Sequence, residues 1–347
     1  MPISAVDAIT PAIEHTRQQL FARFRIGQWT KLAFVGLLAG ELGSNGCNRS
    51  NFNFPGHAGA APHFNFPPIS GGSLGIDRAL LTGFIATSVI AALAVGLILF
   101  YVGSVMRFVL FDSVVVRECH IGWSWNRRVT PGSRYFLWRL GYGLLAMAAF
   151  MVLVGVPVAF AFTRGWFREP KEHVFPLIVG GAFVFTSVFV VGVTVAVVFL
   201  LTKDFVVPLM ALEDIDATEG WRRLWPMMKA ESGAYIGYVV MKIVLAVVTG
   251  ILIAFGALLV GLFFVVPTAA LGLVAVLSGK QAGLTWNPHT IALAAAVGLL
   301  LLGIFLYLVS LVAVPAIVFF PAYSLYFFAG RYPRLAAVLN SASMAPA

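Results

Sequence analysis

Five long stretches of this 347-residue chain contain no Asp, Glu, Lys or Arg. They are Ala79–Met106, Leu140–Thr163, Val174–Thr202, Ile243–Gly279 and Gln281–Gly330, of 28, 24, 29, 37 and 50 residues. A water-facing helix carries charge every turn or two, whereas a bilayer-facing helix cannot. About 20 apolar residues at ~1.5 Å rise cross a hydrocarbon core ~30 Å thick, so each stretch is long enough to span. The sequence predicts an all-α, polytopic transmembrane helical bundle.

Composition narrows the function classes. Charged residues make up 11% of the chain and apolar residues 60%, against about 25% charged in soluble proteins. No soluble stretch exceeds about 35 residues, which leaves one membrane domain and no room for an independent globular catalytic domain. The formal charge of +9 comes from residues scattered at helix ends. That distribution suits a lipid bilayer with anionic headgroups and excludes nucleic acid as a partner. Cys47 and Cys119 fall on opposite membrane faces in the topology below, so no intramolecular disulfide is expected. Cys47 lacks the leucine three residues upstream that a lipoprotein signal needs.

Residues 1–25 read as an amphipathic cytoplasmic arm. Ile13, Leu20, Phe21 and Phe24 share one helical face opposite Glu14, Arg17 and Gln18, the pattern of a helix lying in the membrane interface. The transmembrane domain covers 26–331. Its first span, Ile26–Leu42, is the shortest at 17 residues. Residues 43–76 form a low-complexity outer loop in which Phe52-Asn53-Phe54-Pro55 recurs as Phe64-Asn65-Phe66-Pro67. The later spans start near Ala79, Tyr135, Phe175, Tyr235 and Ile291. Pro157 is expected to kink its helix. Pro267 is expected to break the fifth span, leaving 268–278 as an extension or half-helix, and Pro315 to break the sixth. Residues 332–347 form a short cytoplasmic tail. With six spans and both termini cytoplasmic, inner segments hold 16 Lys and Arg and outer segments six, as the positive-inside rule requires.

One pattern occurs twice. Phe108-Val109 is followed by Gly122-Trp123 and Arg127-Arg128. Phe205-Val206 is followed at similar spacing by Gly220-Trp221-Arg222-Arg223. The two copies lie about 97 residues apart and read as related hairpins in parallel orientation, an arrangement common in polytopic folds. This layout, with Phe205-Val206-Val207-Pro208 leading to Trp221-Arg222-Arg223-Leu224-Trp225, resembles the membrane domain associated with bacterial glycerophosphoryl diester phosphodiesterases and its stand-alone relatives. The resemblance covers most of residues 8–334. The phosphodiesterase catalytic domain is absent, so that activity does not transfer. What the resemblance implies is a multi-pass bacterial inner-membrane protein of unassigned function.

Several local motifs invite a catalytic reading and lack its context. Asp214-x-Asp216-x-Thr218 matches the nucleophile motif of haloacid-dehalogenase-type phosphatases, which needs a surrounding α/β domain. Here Asp216 reads as a helix N-cap with Glu219 as its N3 partner. Gly122-Trp123-Ser124 has Asn126 where a hydrolase elbow needs Gly, and no span carries a central histidine. Cys47, His57 and His63 match no compact metal-ligand spacing. No catalytic residue, cofactor or metal is therefore assigned. The candidate contacts for lipid headgroups or a membrane partner are Trp123, Arg127 and Arg128 in one loop, and Trp221, Arg222 and Arg223 in the other. The resulting expectation is a non-catalytic accessory or membrane-homeostasis factor. The alternatives are a transporter or channel for a small or lipidic solute, and a membrane enzyme acting on lipid.

Overall fold

The computed structural model describes residues 3–22, 24–41, 78–167, 171–281 and 288–344. Among them every element is helical: α1 (Ile9–Phe21), α2 (Ile26–Leu38), α3 (Arg78–Val116), α4 (Ile121–Thr163) and α5 (Val174–Leu201). A π-turn (Thr202–Val206) then leads to α6 (Val207–Glu213), α7 (Ala217–Ala230), α8 (Ser232–Gln281), α9 (Pro288–Val312), α10 (Val314–Ala329) and α11 (Pro333–Met344). The repeated Phe-Asn-Phe-Pro loop, Cys47, His57 and His63 lie outside the described residues.

Five helical segments are long and apolar enough to cross a membrane: 82–116, 121–163, 174–213, 232–279 and 290–329. The expected sixth span is not one of them. α2 is 13 residues long, about 20 Å at 1.5 Å per residue, short of a ~30 Å hydrocarbon core. Glu41 just beyond it is fully buried and paired with Arg107 and Lys203, so it does not mark an opposite membrane face. Pro267 also departs from expectation. α8 runs through it for 50 residues, so 268–278 is continuous helix. A proline costs one backbone bond and a clash at i−4, but unpaired amide groups in an apolar surround cost more, so the helix persists. The Thr268 hydroxyl donates to the Phe264 carbonyl at 2.8 Å beside the proline. Pro157 lies inside α4. Pro315 does interrupt its span: α9 ends at Val312, and Pro315 sits in the first turn of α10.

Each long helix has one end in a packed assembly and the other exposed. None of the most apolar window of 232–279 is buried. The buried core is built from α1, α2, α6, α10 and the inner ends of α3, α5 and α8. α10 is apolar on every side and is buried through most of its length, as such a helix must be when it does not face lipid. Its Tyr323, Phe327 and Phe328 close around Phe205 and Tyr238, all fully buried. Ring centroids lie 4.6 Å apart for Tyr238–Phe327 and 4.9 Å for Phe205–Tyr238. Truncating any of these aromatics to Ala should cost about 3–5 kcal/mol. The two terminal segments meet in this assembly. The Tyr323 hydroxyl donates to the Ala5 carbonyl at 3.0 Å, and Arg331 donates to the Ile3 carbonyl at 3.0 Å.

The internal repeat is explicit in the backbone. The incoming helix of each copy ends on a non-glycine residue in the left-handed region, Arg117 at φ 63° and Asp214 at φ 53°. The last four carbonyls of a helix lack intrahelical partners, and a left-handed ending satisfies only some of them. In the first copy His15 takes the Val114 carbonyl at 2.9 Å and Gln28 the Arg117 carbonyl at 2.9 Å. In the second copy Arg128 takes the Ala211 carbonyl at 2.7 Å and Arg134 the Asp214 carbonyl at 3.0 Å. Val114 and Ala211, like Arg117 and Asp214, are 97 positions apart in the sequence. The same helix end is thus capped in the same two places by unrelated side chains.

This capping explains how α1 sits. Its buried face is Ala12, His15, Thr16, Gln19 and Leu20, while Ile13, Phe21 and Phe24 are exposed. The packed face is therefore rotated away from the apolar stripe seen in the sequence, because His15 and Gln19 are needed at the end of α3. The His15 Nε2–H donates to Val114, and Nδ1 accepts from the Tyr326 hydroxyl at 3.2 Å. Burial, followed by the positive charge of Arg117, lowers the His15 pKa to about 4. The imidazole is neutral at physiological pH.

Candidate functional site

Where the exposed apolar helices enter the packed assembly, buried charges collect at one level. Glu41 bonds Arg107 of α3 and reaches Lys203 of the π-turn at 2.6 Å. Asp204 bonds Lys242 of α8 and accepts the Tyr238 hydroxyl at 2.9 Å. The π-turn adds a residue to the helical register. It lets the adjacent Lys203 and Asp204 reach partners on different helices, α2's end and α8. The Thr202 hydroxyl beside them donates to the Val198 carbonyl at 2.6 Å and accepts the Trp221 indole N–H at 3.0 Å. Lys242 is 6% exposed. It does not extend to the surface as a snorkelling residue would.

These charges border a cavity of about 520 Å³. Arg107, Arg139, Lys203 and Lys242 line one part of it, with Tyr135. Phe100, Ala196, Phe199 and Leu200 line the part that continues into the apolar helices. Gly143 leaves space in the α4 wall, since a Cβ there would meet nothing within 4 Å. Arg139 makes no ion pair among the described residues. Its guanidinium lies over the Phe100 ring at 4.3 Å. Four cations thus face two buried carboxylates, Glu41 and Asp204, at this level. Excess positive charge beside an apolar surface is costly to leave uncompensated.

The six residues singled out from sequence do not form one site. Arg128 is 8% exposed and fully engaged, with Nε and Nη2 on Asp112 at 2.8 and 2.6 Å and Nη1 on Ala211. It is a structural residue rather than a surface cation. Trp221 is half-buried against Thr202. Arg223 pairs with Glu213 and Glu219, and Arg222 pairs with Glu219. Trp123 is exposed and carries Arg127 over its ring at 5.3 Å. In the sequence Arg107, Arg139 and Lys203 are simply among the 16 inner basic residues, and nothing there shows their convergence. The signal available was their position, within one turn of the end of a charge-free stretch.

The catalytic motifs resolve as structure. Asp216 is the N-cap residue of α7, although its side chain makes no capping bond. Asp214 and Asp216 each sit 3.3 Å from Arg134. No strand surrounds them among the described residues. Ser124 is buried in α4 while His120 is exposed, and they are joined only through the backbone, the Ser124 N–H donating to the His120 carbonyl at 3.0 Å. Cys119 is buried, and that burial pushes its thiol pKa up. Among the described residues no three His, Cys, Asp or Glu side chains group as metal ligands.

The fold and this boundary layer define an all-helical polytopic membrane protein. The chain belongs to a family of unknown function, DUF7544, which it matches over residues 3–338. No curated protein matches it, and no solved structure does. Nothing in these comparisons connects it with the phosphodiesterase-associated membrane domain that its sequence resembles.

Proposed function

We propose that this protein is a non-catalytic accessory or homeostasis factor of a bacterial inner membrane, acting by engaging anionic lipid at its basic, packed end. The observation that carries the reading is the segregation of the molecule. The outer lengths of the long helices are apolar and exposed, while most of the lysines and arginines gather where those helices enter the core or beyond it. The positive-inside rule then places the packed end in the cytoplasm, and with it both terminal segments, an arrangement that takes an even number of crossings. The exposed Ile13 and Phe21 of α1, Phe24 just after it, and the Trp123–Arg127 pair are suited to the headgroup layer at that face.

The test is lipid mass spectrometry on the full-length protein purified from native membranes. Reporter fusions at each terminus accompany it. Enrichment of anionic over zwitterionic phospholipid relative to the source membrane supports the reading, with both reporters on the cytoplasmic side. A bulk-like lipid profile, or termini outside, refutes it.

A further inference from the structure

The cavity at the helix entry level holds the chemistry of a particular ligand group. Its cationic lining comes from four elements: Arg107 on α3, Arg139 on α4, Lys203 in the π-turn and Lys242 near the inner end of α8. Three of the four are partly neutralised, Arg107 and Lys203 by Glu41 and Lys242 by Asp204. Arg139 has only an aromatic ring beneath it. Tyr135 is 5% exposed and lines the same space. Its hydroxyl makes no hydrogen bond to a described residue and so remains available to the cavity. A guanidinium fork and a phenol facing one cavity match a phosphate oxygen pair better than a lone carboxylate. The apolar lining, Phe199 and Leu200 of α5 with Phe100 of α3 beneath Arg139, continues to Ala196 of α5 and Gly143 of α4.

We infer that this cavity seats a phosphate group, presented as the headgroup of an anionic phospholipid whose acyl chains leave along α4 and α5. Arg139 and Tyr135 bind the phosphate directly. Arg107 and Lys203 are held in place by Glu41 and supply field rather than a free fork. The volume of about 520 Å³ is within the ~300–1,000 Å³ of ordinary ligand pockets. This assignment rests on the lipid-engaging reading above and narrows it to one site.

The experiment uses full-length protein in neutral detergent, with native mass spectrometry and thermal shift as readouts. The probes are dioctanoyl phosphatidylglycerol, dioctanoyl phosphatidylcholine and inorganic phosphate. The expected result is one phosphatidylglycerol per chain and little phosphatidylcholine. Arg139→Ala should weaken binding roughly tenfold or more, as loss of a charged hydrogen-bond donor does. Arg139→Lys should recover part of it, and Lys171→Ala, at an exposed position between α4 and α5, should leave it unchanged. Gly143→Leu is the second variant: it fills the cavity without altering charge, in open space, and should abolish binding in a folded protein. Inorganic phosphate binding as tightly, with the same Arg139 dependence, keeps the phosphate seat and makes the free anion its source. Phosphatidylglycerol binding that survives both Arg139→Ala and Gly143→Leu overturns this site and leaves the lipid-engaging reading intact. Binding of no anionic probe overturns both.

Discussion

Replacing Arg128 by Ala isolates what the buried end of the molecule rests on. The change removes three hydrogen bonds, at 2.8, 2.6 and 2.7 Å. It strands Asp112, which is 7% exposed and has no other cation partner among the described residues. It also uncaps the Ala211 carbonyl at the end of α6. Breaking a buried ion pair from one side costs about 3–5 kcal/mol, because the remaining charge stays buried. Replacing both partners with apolar groups removes that penalty. The double variant Asp112→Leu with Arg128→Met should therefore recover most of the loss, retaining about 1–2 kcal/mol from the orphaned carbonyl. Reversible unfolding of the full-length protein in mixed micelles, followed by near-UV circular dichroism, measures both. Were Arg128 a surface contact for headgroups, Arg128→Ala would lower anionic-lipid binding and cost under 1 kcal/mol of stability. That outcome, or a double variant as unstable as the single one, refutes the reasoning.

The docking of α1 should depend on pH through His15. Its folded pKa of about 4 lies below the ordinary 6.5, so the unfolded chain takes up a proton that the folded one refuses. Stability is then complete above pH 6.5 and falls as pH drops toward 4, by on the order of 3 kcal/mol in all. His15→Gln should flatten the pH profile of unfolding across that window. Gly103→Ala would place a Cβ 2.6 Å from the Leu38 carbonyl oxygen, a backbone atom with little freedom to move. It should separate α2 from α3 at a cost of about 1–3 kcal/mol, read as faster proteolysis within residues 26–41. Tyr238→Phe removes the 2.9 Å bond to Asp204 and should cost about 1.5–3 kcal/mol, visible as a lowered unfolding midpoint without any change in the lipid retained.

The helical membrane class, the positions of the long helices and the repeat were all legible in the sequence, because charge-free length and a 97-residue spacing are local or periodic signals. Burial was not legible. The sequence Val314–Ala329 is no more apolar than Ile243–Gly279, yet the first is core and the second is exposed. Composition cannot tell a helix that faces lipid from one that faces other helices. The rotation of α1 escaped for a related reason: His15 and Gln19 look like polar-face residues until the carbonyls they cap are known. The burial of Glu41 was equally hidden, because its partners Arg107 and Lys203 are distant in sequence. The cavity cations were each visible, but only folding brings positions 107, 139, 203 and 242 to one level.

The meeting of the two terminal segments also sets an order of events in biosynthesis. His15 waits for Tyr326, 311 residues later. At about 5–20 residues per second, α1 spends roughly 15–60 s without its final partner while the membrane helices are being inserted. Its Ile13, Phe21 and Phe24 give it somewhere to rest on the bilayer in the meantime. A chain stopped before α10 would leave α1, α2 and the inner helix ends with their burial faces open. The cell would meet such a product as an unassembled membrane protein, so α10 acts as the clasp that closes the packed end.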